Sequence, residues 1–187
     1  MPAAYAGAMA IGVVMHTFDV QVADVDRGVY DDLTLRLAQH PSETAAFMVT
    51  RLLAYCLEYT DGIAFSEGVA ATNEPAVLVR DATGRQTAWI EVGAPDAERL
   101  HYGSKLTGYV RIYTHRDPAR VLPQWAGKKI HDAGSIALVS FDPGFIDAVA
   151  DAVERRNTLT LSATEGQLYL DLNGVALTSG IHRHPIV

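Results

Sequence analysis

The stretch Ala76-Val77-Leu78-Val79-Arg80-Asp81-Ala82-Thr83-Gly84-Arg85-Gln86-Thr87-Ala88-Trp89-Ile90-Glu91-Val92-Gly93 reads as two short strands around a turn. Branched and aromatic residues flank Asp81 to Gly84, which supply the turn chemistry. Side chains alternate along a strand, so Ala88, Ile90 and Val92 face one way and Trp89, Glu91 and Gly93 the other. Glu91 thus points off the aliphatic face. Antiparallel partners have numbers summing to about 166 or 167, according to the turn and any bulge. At the higher sum Glu74 faces Gly93 and shares a face with Glu91, at roughly 7–8 Å; at the lower it lies on the opposite face. Asp81 falls at the far end and reads as a turn residue.

Upstream, Ile63 to Ser66 is a short strand. Before it, His40-Pro41-Ser42-Glu43-Thr44 ends one element and starts a helix with Ser42 as N-cap, running to about Tyr59. Its apolar stripe is Ala46, Phe47, Thr50, Leu53, Ala54 and Leu57, and Glu43 continues that stripe one turn back, an acid aimed along the buried side. His40 is expected to fix the turn before this helix. Val13 to Val22 and Asp32 to Ala38 are strands joined by Asp24-Val25-Asp26-Arg27-Gly28; Leu33, Leu35 and Leu37 recur with period two, and an antiparallel pair is the simplest arrangement. Downstream come a helix from Asp96 to Lys105, a strand Tyr109 to Thr114, a turn region with Pro118 and Pro123, and a strand Ile136 to Phe141. A helix from Asp142-Pro143 to about Arg156 and a terminal hairpin, Leu159 to Leu172 with Glu165-Gly166 at its tip, follow. His182-Arg183-His184 reads as an exposed tail rather than a metal site.

The fold class expected is α/β (α+β): a mixed central sheet flanked by helices, with an added N-terminal strand pair and a C-terminal hairpin. The 187 residues, 49% apolar and 20% charged, suit one folded domain over residues 1–187, with 1–8 a frayed extension. The apolar run Ala8 to Met15 is too short to cross a bilayer and follows no basic residue, so a cytoplasmic protein without a membrane role is expected. Cys56 is the only cysteine, which excludes an intrachain disulfide and a cysteine-based zinc site. The net charge is −7, yet residues 96–130 are +4 and the remainder −11. A basic surface for nucleic acid and an ordinary solvated surface are both compatible with that distribution.

Carboxylates converging at a strand end repel one another and call for protonation or a hard cation such as Mg²⁺, which can polarise a phosphoryl oxygen. The alternative is three unrelated acids: Glu43 at a helix start, Glu74 ending a strand, Glu91 on a sheet edge.

The strings Ala23-Asp24-Val25-Asp26-Arg27, Leu33-Thr34-Leu35, His40-Pro41-Ser42-Glu43-Thr44, Arg51-Leu52-Leu53-Ala54, Glu74-Pro75, Trp89-Ile90-Glu91-Val92-Gly93 and Pro95-Asp96 resemble the bacterial YaeQ family in consistent order over about residues 13–175. HPSET followed by WIEVG is the specific part. That family resembles a variant of the PD-(D/E)XK nuclease fold, a restriction-endonuclease-like core of order αβββαβ, the order read above around the hairpin. The resemblance implies Glu43, Glu74 and Glu91 as the site acids, with Glu74 and Glu91 ligating Mg²⁺ for phosphodiester hydrolysis. Gly93 stands where the motif's lysine belongs, and Tyr102 stands where the family's substitute lysine is expected. Lys105, one turn on, is then the candidate cation, a solvated helix-end charge being its other reading. Two functions follow as expectations: a metal-dependent nuclease or its remnant, and a non-catalytic module binding nucleic acid or a protein partner.

Overall fold

The computed structural model describes residues 12–66 and 73–187; the expected frayed residues 1–8 lie outside them. In chain order the elements are β1 (Val14–Asp24), β2 (Val29–Gln39), α1 (Ala45–Leu57), β3 (Ile63–Phe65), β4 (Val77–Arg80), β5 (Gln86–Val92), α2 (Ala97–Thr107), β6 (Val110–Tyr113), α3 (Pro118–Val121), β7 (Ala137–Phe141), α4 (Phe145–Asp151), β8 (Arg156–Thr164), β9 (Gln167–Leu172) and β10 (Val175–Pro185). They build a mixed α+β fold on a curled sheet of order β2-β1-β8-β9-β10-β7-β6-β5-β4-β3. Among the described residues no helix is long and apolar enough to cross a membrane.

The first strands pair antiparallel from Val14↔Gln39 to Asp24↔Val29, as the period-two leucines require. Strands β5, β6 and β7 run parallel, and β1 lies parallel to β8. One cluster packs α1 and α4 inside the curl, on Ile90 and Val92 from β5 and Phe18, Leu37 and Leu161 from the other half. The other packs α2 on the opposite face of β5 and β6, around Trp89, Leu100, Ile112 and Trp125. Cys56 lies wholly inside the first cluster, where burial pushes its thiol up to about 12, away from thiolate chemistry.

Three readings of the sequence need correction. The first helix is capped by Thr44, whose hydroxyl accepts from Phe47 N–H, because Ser42 is taken up by His40: the Ser42 amide and hydroxyl both reach His40 Nδ1. The helix opened by Asp142-Pro143 ends at Asp151, and Arg156 already belongs to β8. The terminal hairpin is a three-strand meander, and the supposed tail is its last strand. Residues 175–180 pair with β9 and residues 181–185 with β7, so β10 joins the two halves of the sheet. His182 Nε2 lies 2.6 Å from Asp142 Oδ1, and His184 Nε2 lies 3.0 Å from Ser140 Oγ.

Candidate functional site

The hairpin takes the higher register: Val77↔Ile90, Leu78↔Trp89 and Val79↔Ala88, with a bulge before Arg80↔Gln86. Asp81 closes the turn, its Oδ1 accepting from the Thr83 and Arg85 amides. Glu43, Glu74 and Glu91 all line one cleft of about 340 Å³, at the carboxyl ends of β5 and β6, where ligands enter sheets of this kind.

Each acid there is already matched by an arginine. Glu43, with its side chain 2% exposed, lies 3.2 Å from Arg51 Nη2. Its Oε2 accepts from the His40 amide, and Arg51 Nη2 also donates to the Ala38 carbonyl at 2.7 Å, so the pair ties the end of β2 to α1. Burial pulls the Arg51 guanidinium below its ordinary range, and the Glu43 charge opposes that shift. Glu91 Oε1 accepts from Trp89 Nε1 at 2.8 Å and Arg99 Nε at 2.9 Å. Arg99 Nη2 reaches on to the main-chain oxygen of Glu74 at 2.8 Å. The Glu74 carboxylate itself turns to Arg80, 3.2 Å away. The charges that would repel are thus separated and neutralised by guanidinium groups, and among the described residues no three acidic, histidine or cysteine side chains are grouped so as to hold a metal ion. A Mg²⁺ shell of oxygen ligands does not fit this donor set.

The structure does not bring Lys105 to these acids. Lys105 lines a separate groove of about 430 Å³ with His101, Lys128 and Lys129. Gly93, at φ 91°, would place a Cβ 3.6 Å from the Phe47 ring, so a lysine there meets backbone strain. Tyr102 rests edge-to-face on Trp89, with centroids 5.4 Å apart. Behind it Gly103 lets α2 sit on the indole: a Cβ at 103 would fall 2.4 Å from Trp89 Cγ. The cations sequence reading missed are Arg51, Arg99 and Arg116, all lining the cleft. The first two share one signal, a spacing of eight between Glu43 and Arg51 and between Glu91 and Arg99; Arg116 has none.

The family model described as "YaeQ protein" matches residues 9–180. The chain belongs to the YaeQ family. "Uncharacterized protein YaeQ" of Escherichia coli is 30% identical over 164 residues, 87% of this chain and 90% of that one; its namesake from Salmonella typhi is 28% identical over 163 residues, with the same shares. The crystal structure of YaeQ protein from Xanthomonas axonopodis pv. citri superposes with a TM-score of 0.82 at 24% identity, over 92% of this chain and 98% of the other. YaeQ protein from Pseudomonas syringae gives 0.81 at 26%, over 93% and 97%.

In this YaeQ chain burial raises the Glu91 pKa, against the Arg99 charge and the Trp89 and Arg99 hydrogen bonds, which lower it. A raised carboxyl favours folding fully below the unfolded value, about 4.3, and that contribution is lost as pH climbs through the folded value. Glu91→Gln keeps an oxygen for Trp89 Nε1 and cannot titrate. Urea melts across acidic and neutral pH should therefore show a shallower decline in stability for the variant than for wild type. Equal slopes would mean that the Arg99 charge and the Trp89 and Arg99 hydrogen bonds balance burial.

Proposed function

We propose that this YaeQ-family protein is a non-hydrolytic nucleic-acid-binding module on a PD-(D/E)XK-like core. The order α1-β3-β4-β5-α2-β6 supports the likeness of core. One contrast carries the function: the cleft acids are each bonded to an arginine, whereas Lys105, Lys128 and Lys129 gather on one groove with no carboxylate in ion-pair range among the described residues. Phosphodiester hydrolysis needs charge placed against the developing transition state, and in the cleft the charges of Glu43, Glu74 and Glu91 are held in ion pairs with Arg51, Arg80 and Arg99. Phosphate binding needs only exposed cations with counterions to release. The Mg²⁺ that the motif implies has no part in this proposal.

The test is fluorescence anisotropy of a labelled oligonucleotide at about 50 and about 200 mM salt. With three phosphates neutralised, affinity should fall about 40-fold over that range for a duplex and about 20-fold for a single strand. Lys128→Glu/Lys129→Glu should flatten the dependence and weaken binding at low salt. Salt-independent affinity would point to a protein partner in place of phosphates. Oligonucleotide cleavage in Mg²⁺ that disappears in Glu91→Gln would overturn the non-hydrolytic reading.

A further inference from the structure

We infer that the nucleic acid taken is single-stranded, with Tyr102 as the platform on which one base stacks; this rests on the nucleic-acid reading above. Tyr102 stands on the outer face of α2, half exposed. An aromatic residue so exposed is held rigid from behind: its ring meets Trp89 at 74°, Trp89 is wholly buried, and the indole N–H is fixed on Glu91. A ring already immobilised loses little rotamer freedom when a base lands on it.

Its neighbours on the helix suit a strand rather than a lone base. Three and four residues apart are adjacent on a helical surface, which puts Lys105 and Leu106 beside Tyr102 toward the end of α2, and Glu98 and Arg99 beside it toward the start. Lys105 is exposed and leads into the groove with Lys128 and Lys129. Leu106 is 41% exposed and extends the apolar contact. Glu98 is the one acid among the described residues lining that groove, leaving the phosphate path to the lysine side. Stacking aromatics beside a row of cations is how sequence-tolerant single-strand binders hold their ligand. A duplex offers the lysines the same phosphates and keeps its base faces closed to Tyr102.

The experiment compares anisotropy of labelled oligothymidylate of about 12 nucleotides with that of a duplex of equal length, for wild type, Tyr102→Ala, Tyr102→Leu, Tyr102→Phe and Lys128→Glu/Lys129→Glu. Wild type should bind the single strand more tightly. Tyr102→Ala and Tyr102→Leu should weaken it about tenfold with the duplex unchanged, and Tyr102→Phe should restore wild-type affinity. Tyr102→Leu keeps Trp89 covered, so its loss cannot be assigned to an exposed indole. Single-strand affinity unmoved in Tyr102→Leu, or lost equally on both ligands, overturns the platform. The lysine variant separates the two ideas. If it weakens both ligands while the tyrosine variants do nothing, phosphate binding stands and the platform falls; no binding of either ligand to wild type removes both.

Discussion

Arg51→Met should lower the unfolding free energy by about 3–5 kcal/mol, measured by urea denaturation at neutral pH. The Arg51 and Glu43 side chains are 9% and 2% exposed, so the pair is screened little by solvent. Removing the guanidinium leaves a carboxylate in the core of the cleft with, among the described residues, only the His40 amide as hydrogen-bond donor, and an uncompensated buried charge costs more than the pair itself contributes. The Ala38 carbonyl, at the end of β2, loses its donor as well. Methionine fills most of the volume, so the loss reports charge rather than a void. The double variant Glu43→Gln/Arg51→Met should recover most of it, since the amide oxygen still accepts from His40. A single-variant loss below about 1 kcal/mol, the range of exposed pairs, would show that water reaches Glu43 freely.

Gly62→Ala should cost about 3 kcal/mol. The residue sits at φ 84°, where a side chain costs about 1–2 kcal/mol, and its Cβ would fall 1.9 Å from the carbonyl oxygen of Arg80. That neighbour is backbone and cannot rotate away. It belongs to β4, whose Arg80 amide donates to the Gly62 carbonyl at 3.0 Å, so relief means pulling β3 off β4. The melting temperature should drop by about 6–12 °C. Gly28→Ala is the control: φ is 68° with no atom of the described residues within 4 Å of the new Cβ, so only the conformational cost applies. Equal losses at the two positions would show that the Arg80 contact is easily relieved.

What the sequence made legible was local. Alternation in Leu33, Leu35 and Leu37, the Asp81 turn and a helix starting near Asp96 are each decided within a few residues, and the structure has all three. The hairpin register was narrowed to two choices by counting, and the bulge at Val79/Arg80 marks where the count changes. Lys105 misled because one turn along a helix was weighed as axial distance alone. Six residues beyond Arg99 at 100° each is a rotation of about 240°, which turns Lys105 away from the cleft that Arg99 lines. The pairing of acids with arginines was hidden for another reason: Glu91 and Arg99 sit on different elements, and only packing of α2 on Trp89 makes them neighbours. Strand β10 escaped because its exposure follows no alternation. It changes partners at Gly180, where a Cβ would meet the His182 ring at 2.8 Å.

That last strand has a bearing on how the chain is made. Everything it bridges, β9 on one side and β7 on the other, precedes it in synthesis, and β1 must likewise wait for β8. The β7–β10 and β1–β8 pairings lie far apart along the chain and are slow to close. A nascent chain on the ribosome therefore holds two unsealed sheet margins until β10 emerges, and it is in that interval that assistance from a chaperone would be most effective.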